Sequence, residues 1–246
     1  MGESILASQR LNSQTLTTIN EKEVMEFKSE SELFSYLEKN AYAAVFSDIL
    51  DEMGYEFCVI SPNSRIHPLK DNFVLMGRAM TLLNERDNNE KEPYDTVIKC
   101  IDSLTPDSVI ITTGTDSFTS GIMGELTATA LRAKKGRGAI VNGYTRDARK
   151  LINMEFPTFA WGASPIDTTG RLRVVNYNIP IIIGGVTIFP GDLIFADLDG
   201  IVVIPKDSEE KVIEEVIKRI STENVVRKEL AEGKTMSEVW KKYHVL

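Results

Sequence analysis

Residues Ile110 to Leu151 read IITTGTDSFTSGIMGELTATALRAKKGRGAIVNGYTRDARKL. The stretch continues an apolar β-branched run, Val109-Ile110-Ile111, into a loop rich in Thr, Ser, Gly and Asp that ends at Gly121. A segment with helical spacing follows from Gly124 to Lys135, then a second short apolar run, Ala139-Ile140-Val141, which stops at Asn142-Gly143. Strand, loop, helix, strand is a βαβ unit, and such units gather their loops at one end of a sheet. That order brings Glu125, at the start of the helix, toward Arg146 and Asp147, just beyond the second strand. Two carboxylates and a guanidinium beside a helix N-terminus can hold a divalent cation and an anionic substrate together.

Each part of this set also has a plainer reading. The loop Gly114–Gly121 lacks the Gly-Lys-Ser/Thr ending of a phosphate loop, so nucleotide binding is not supported. If the helix starts near Gly124, the amides of Leu126 and Thr127 are unpaired donors aimed at whatever lies ahead of them. Glu125 equally suits a helix first turn, where an acid stabilises by ~0.3–1 kcal/mol. Lys134, Lys135 and Arg137 complement the helix C-terminus, with Gly136 as the expected C-cap, and phosphate binding is the alternative. Asn142-Gly143 predicts a tight turn with positive φ. Arg146-Asp147 taken alone is compatible with an ordinary surface pair.

Outward from this unit, composition narrows the classes. The net charge of -8 argues against nucleic-acid binding through a broad basic surface. No run approaches the ~18 apolar residues of a membrane span, and no basic segment followed by an apolar core marks a signal peptide. Cys58 and Cys100 form neither a CxxC pair nor a disulfide framework and are expected to be buried packing residues, which fits a reducing, cytoplasmic setting. With His67 and His244 the only histidines, a His-built metal centre is not expected.

Residues 1–30 read as a polar extension and 31–246 as the folded domain. Helices are expected from Ser31, capped by Ser29 or Ser31, and from Ala43 to Met53 with Gly54 closing the second. Phe73–Met76 and Ala79–Leu83 flank Gly77-Arg78 as a strand with a bend or bulge. Asn84–Pro93 reads as a solvated loop, and Tyr94–Ser103 returns to helical spacing. Phe156–Gly162, Ile179–Phe189, Leu193–Ala196 and Ile201–Ile204 read as strands, the last two joined by a hairpin ending in Asp-Gly. Helices are expected from Glu209 to about Ile220, from Glu223 to Glu232, and from Ser237 to Tyr243.

The ordered set GELTATALRAKKGRGAIVNGYTRD, FPTFAWGASP, GGVTIFPGD and ADLDGIVVIP resembles the RraA-like family, over roughly Ala41 to Gly233. That family includes 4-hydroxy-4-methyl-2-oxoglutarate/4-carboxy-4-hydroxy-2-oxoadipate aldolases and protein regulators of ribonuclease E. The resemblance implies an α/β fold of the β/β/α swivelling type, in homotrimers or homohexamers with sites between subunits. It implies Arg146 as the ligand of the substrate carboxylate and Asp147 as a metal ligand. Glu125 would help hold the metal. Gly124, Leu126 and Thr127 would form the substrate-binding start of the helix, and Glu223 would reach a neighbouring subunit's site. Tyr144 follows Gly143 where the family usually has a second Gly.

On these grounds the chain is expected to be a lyase using Mg²⁺ or Mn²⁺. It would cleave a small 4-hydroxy-2-oxo acid or decarboxylate oxaloacetate through pyruvate enolate, a species that a cation stabilises as Lewis acid. The alternative is a non-catalytic regulator that binds a ribonuclease or another protein.

Overall fold

The computed structural model describes residues 16–20, 23–86, 94–114 and 119–245. The elements run β1 (Leu16–Asn20), β2 (Glu23–Phe27), α1 (Glu30–Asn40), α2 (Ala43–Glu52), β3 (His67–Pro68), β4 (Leu75–Arg86) and α3 (Asp95–Asp102). Then come β5 (Ser108–Gly114), α4 (Glu125–Ala133), β6 (Gly138–Val141), α5 (Ala148–Asn153), β7 (Thr158–Ala160) and β8 (Leu172–Tyr177). The chain finishes with β9 (Ile181–Ile183), β10 (Val186–Ile188), β11 (Leu193–Ala196), β12 (Ile201–Ile204), α6 (Glu209–Ala231) and α7 (Met236–Tyr243).

The main sheet has the order β12-β11-β4-β5-β6-β7-β3, and β8 pairs with the far half of β4. Strands β4, β5, β6 and β7 are parallel neighbours, each joined to the next through a helix, so the βαβ unit around α4 is one of three in a row. Side-chain alternation along the strands lets both faces of the sheet pack, in three clusters. Met76, Leu193 and Phe195 face α1, α2 and α6, with Phe195 stacked on Phe46 at 4.6 Å between ring centroids. Met80, Leu82 and Ile110 face residues of α3 and α4 on the same side. Leu75, Val109, Ile111 and Ile194 point the other way, onto the isoleucines of the β9–β10 hairpin. The result is a mixed α/β structure of helices, sheet and a covering β-hairpin, with N-terminal helices and a long C-terminal helix.

Local chemistry explains most boundaries. Ser29 caps α1 by accepting from the Glu32 amide at 3.2 Å. Gly184 and Gly185, both at positive φ, turn β9 into β10. Thr235 and Glu238 form a reciprocal capping box at the start of α7. Cys58 and Cys100 are buried, and burial pushes the Cys100 thiol up to about 12.

Several expectations change. Residues 16–20 and 23–27, read as part of an extension, pair as the antiparallel strands β1 and β2; residues 1–15 and 21–22 lie outside the described residues. Neither β8 nor α5 was expected. The two C-terminal helical segments are one helix, α6, because Thr222 returns its hydroxyl to the Lys218 carbonyl at 3.1 Å and does not interrupt the turn. Lys135, at φ 63°, takes the left-handed position after α4 that was assigned to Gly136. Of the loop expected at Asn84–Pro93, the first three residues extend β4 and 87–93 lie outside the described residues.

β4 also runs unbroken through Gly77-Arg78, and its register shift falls later, between Leu83 and Asn84. Gly77 is there for close approach: a Cβ would sit 2.5 Å from the Asp107 carbonyl oxygen and 2.8 Å from Val109 Cγ2. Gly77→Ala is therefore expected to destabilise the protein by ~1–3 kcal/mol, because backbone must shift to admit the methyl group. A urea midpoint equal to that of the parent would contradict this account of the strand.

Candidate active site

The three parallel strands β5, β6 and β7 end on the same side, and segments that follow each of them pair with one another. Gly121 bridges Tyr144, and Thr145 bridges Ala163, both in parallel fashion. The Ile122 amide donates to Tyr144 O at 2.8 Å and the Arg146 amide to Met123 O at 2.7 Å. On the other side, the Thr145 amide donates to Gly162 O at 3.0 Å and the Ser164 amide to Thr145 O at 2.8 Å. The fully buried Thr145 adds its hydroxyl to Met123 O at 2.6 Å. This backbone frame lies outside the carboxyl ends of parallel strands, where open α/β sheets bind their ligands.

On the frame sit Glu125, Arg146 and Asp147, which the βαβ order had placed together. α4 starts at Glu125 with Gly124 as N-cap, and Gly124 has no side chain to cap the helix. Asp147 Oδ2 takes that place, accepting from the Glu125 amide at 3.2 Å. A Cβ on residue 124 would lie 2.6 Å from Asp147 Oδ2 and 2.8 Å from Arg146 Cγ, so the contact requires glycine. Asp147 itself is left-handed, at φ 57°, whereas Gly143 is not. The positive φ expected at Asn142-Gly143 is thus found four residues on, at Asp147. Aspartate tolerates that conformation better than most residues.

The remaining contacts set the electrostatics. Arg146 Nε is 3.8 Å from Asp147 Oδ2, and its Nη1 is 2.5 Å from Asp167 Oδ1. Asp167 also accepts from the Thr169 hydroxyl at 2.6 Å and the Tyr94 hydroxyl at 3.2 Å. These bonds, Thr169's foremost, hold the Asp167 carboxyl below the usual carboxylate range. The Glu125 carboxylate accepts from Thr129 at 3.1 Å and lies 3.6 Å from Lys150 Nζ. Leu126 is 80% exposed at the helix start, and Thr127 lines the adjoining cavity. Below the frame, Asn84 donates to Thr112 Oγ1 and Thr113 O, and Asn142 donates to Thr113 Oγ1 at 2.9 Å.

Glu223 is elsewhere within the chain. It stands on α6, where it accepts a short hydrogen bond from the Tyr42 hydroxyl, with Arg227 Nη2 at 4.0 Å. Of the loop at 114–121, residues 115–118 lie outside the described residues. Asp167, Lys150 and Tyr94 are the site residues the sequence reading passed over. Asp167-Thr168-Thr169 carried a signal, since Asp followed by Thr favours a side-chain-bonded turn.

Among the described residues no cluster of three or more His, Cys, Asp or Glu forms a closed metal cage. The donors here suit a different kind of ion. Asp147 and Glu125 are the two carboxylates at the start of α4, and a hard cation such as Mg²⁺, which takes few carboxylates and keeps several waters, is the kind of ion they would hold. No helix among the described residues is long and apolar enough to cross a membrane.

A family model described as RraA-like, Aldolase/RraA, matches residues 46–203, and the chain belongs to that family. Over 205 residues it is 31% identical to protein DlpA of Legionella pneumophila, covering 83% of this chain and 32% of that one, so it spans about a third of DlpA's length. It is 33% identical over 156 residues to the "Putative 4-hydroxy-4-methyl-2-oxoglutarate aldolase" of Halalkalibacterium halodurans, covering 63% of this chain and 71% of the relative. Among solved structures, Streptomyces coelicolor RraAS2 superposes with a TM-score of 0.70 at 24% identity, covering 81% of this chain and 97% of that one; this likeness concerns the fold.

Asp167 supplies a test of the site's electrostatics. Its folded pKa lies below the ordinary 3.8, so the stability it contributes is complete above that value and fades as the pH falls through the lower folded one. Asp167→Asn is expected to show less loss of stability on acidification below pH ~4 than the parent. Urea midpoints measured from pH 6 downward check this, and parallel curves for the two proteins would refute it.

Proposed function

We propose that the chain is a divalent-metal-dependent lyase that cleaves a 4-hydroxy-2-oxo acid and decarboxylates oxaloacetate, both through pyruvate enolate. One observation carries the reading. The Asp147 carboxylate, the Glu125 amide and the Arg146 guanidinium meet at the N-terminus of α4, outside the ends of parallel strands. Membership of a family of aldolases supports it.

Each residue has a task in this chemistry. Arg146 forks onto the substrate carboxylate, a charge-assisted pairing that fixes the substrate's orientation. Asp167 holds one edge of that guanidinium through Nη1. The Leu126 and Thr127 amides lie in the first turn of α4, where no intrahelical acceptor exists, and they donate to the oxygens that gain charge. Asp147 and Glu125 would hold the cation, with Glu223 joining from a neighbouring subunit of a homotrimer or homohexamer. When bound, the cation supplies Lewis-acid stabilisation of the developing enolate. Glu125 would also take the proton from the C4 hydroxyl. The family description, Aldolase/RraA, covers the regulator reading as well, and the gathered Asp147, Glu125 and Arg146 are what favour catalysis.

Purified protein is expected to release pyruvate from oxaloacetate in the presence of Mg²⁺, with the activity removed by EDTA. Asp147→Asn should lower kcat/KM roughly 100-fold or more, and Arg146→Ala should act mainly by raising KM. Steady-state assays on variants with parental circular dichroism make the comparison. A parent protein that binds Mg²⁺ but turns over neither oxaloacetate nor any 4-hydroxy-2-oxo acid would end the proposal.

A further inference from the structure

Beside the first turn of α4, between the sheet and α3, lies a cavity of about 80 Å³. Its body is apolar, formed by Leu82 and Ile110 of the sheet, Val97 and Ile101 of α3, and Leu172 and Val174 of β8. One wall belongs to the candidate active site. Thr127 is the third residue of α4, Met123 receives the Arg146 amide at 2.7 Å, and Thr168 adjoins Asp167. Tyr94, also in the lining, reaches Asp167 with its hydroxyl at 3.2 Å, and Asp167 in turn holds Arg146 at 2.5 Å. A molecule seated on Arg146 and the amides of α4 therefore has this void next to it.

Two of the cavity's polar side chains are already engaged. Asn84 spends its side-chain amide on Thr112 and on the Thr113 carbonyl, and Arg173 has an interaction of its own. The space holds several water-sized groups, yet the apolar walls give ordered water few partners. A carboxylate entering it would lose its hydration without gaining an unengaged cation. An alkyl group would gain the ordinary free energy of apolar burial.

We infer that this cavity is the subsite for the distal part of the substrate, and that the part it takes is a short alkyl group on C4 and not a second carboxylate. The inference rests on the lyase reading above and names its substrate class: a 4-hydroxy-2-oxo acid with an aliphatic tail. In the reaction the C3–C4 bond breaks, and its electron pair passes to C3 as pyruvate enolate. The C4 hydroxyl loses its proton, C4 leaves as the carbonyl carbon of an aliphatic aldehyde, and protonation of C3 gives pyruvate. No oxidant or reductant is required.

The test compares three substrates on the full chain with Mg²⁺: oxaloacetate, 4-hydroxy-2-oxoglutarate and 4-hydroxy-2-oxoheptanoate. The heptanoate is expected to exceed the glutarate in kcat/KM by roughly tenfold or more. Val97→Phe or Ile101→Phe, which fill the cavity, should lower the ratio of heptanoate to oxaloacetate kcat/KM by about tenfold. Two variants are named so that a misfolded one does not decide the matter. Activity on oxaloacetate with the glutarate equal or preferred overturns this inference and leaves the lyase reading standing. An unchanged ratio in a folded variant overturns the placement of the tail in this cavity. Inactivity on all three substrates removes the lyase reading and this inference with it.

Discussion

The contact between the Glu125 amide and Asp147 Oδ2, at 3.2 Å, is what the candidate site depends on. It joins the start of a helix to the loop after the next strand, and it exists only because residue 124 has no side chain. A helix N-terminus ordinarily finds its cap in the residue before it. Here the cap comes from 22 positions away in sequence, so the same carboxylate closes the helix and faces the site. The left-handed backbone of Asp147 and the hydrogen bond from the Arg146 amide to Met123 hold that carboxylate in place.

The sheet makes this meeting possible. Because β4 to β7 are parallel, every connection returns to the same starting end, and the loops that leave the strands collect at the other. Segments that follow three of those strands pair with one another at Gly121–Met123, Tyr144–Arg146 and Gly162–Ser164, so a hydrogen-bonded frame and not a loose rim carries Arg146, Asp147 and Asp167. The ion pair between Arg146 and Asp167 is about two-fifths exposed on each side. At that exposure it adds little stability, ~0–1 kcal/mol, and its value lies in orienting the guanidinium.

Away from the site, two arginines tie the layers together. Arg78, near the start of β4, reaches Glu30 at the start of α1, Glu209 at the start of α6 and the Gly191 carbonyl. Arg137 joins Glu38 of α1 to Asp107, just before β5. Removing either partner of such a half-buried pair leaves a charge poorly solvated, which costs more than the intact pair contributes.

How much was legible in the sequence follows from the range of the interactions. Elements with a local cause were readable: the alternation of the βαβ unit, the Leu193–Ala196 and Ile201–Ile204 hairpin ending in Asp-Gly, Ser29 as a helix cap. Gly77 was misread as a bend because the Asp107 carbonyl and Val109 that demand it lie 30 or more positions away. The β1–β2 pair and β8 were missed because short edge strands have weak patterns and acquire their faces from neighbours. The gathering of Glu125, Arg146 and Asp147 was expected from the order strand, helix, strand, which places successive loops at one end of a sheet. Sequence order alone determined that these three residues would be near one another. Only the tertiary structure decided that Gly124 lets Asp147 cap α4, that Asp167 and Tyr94 complete the surroundings of Arg146, and that an apolar cavity lies alongside. Those depend on side chains converging from separate strands, and no local pattern in the chain records such a convergence.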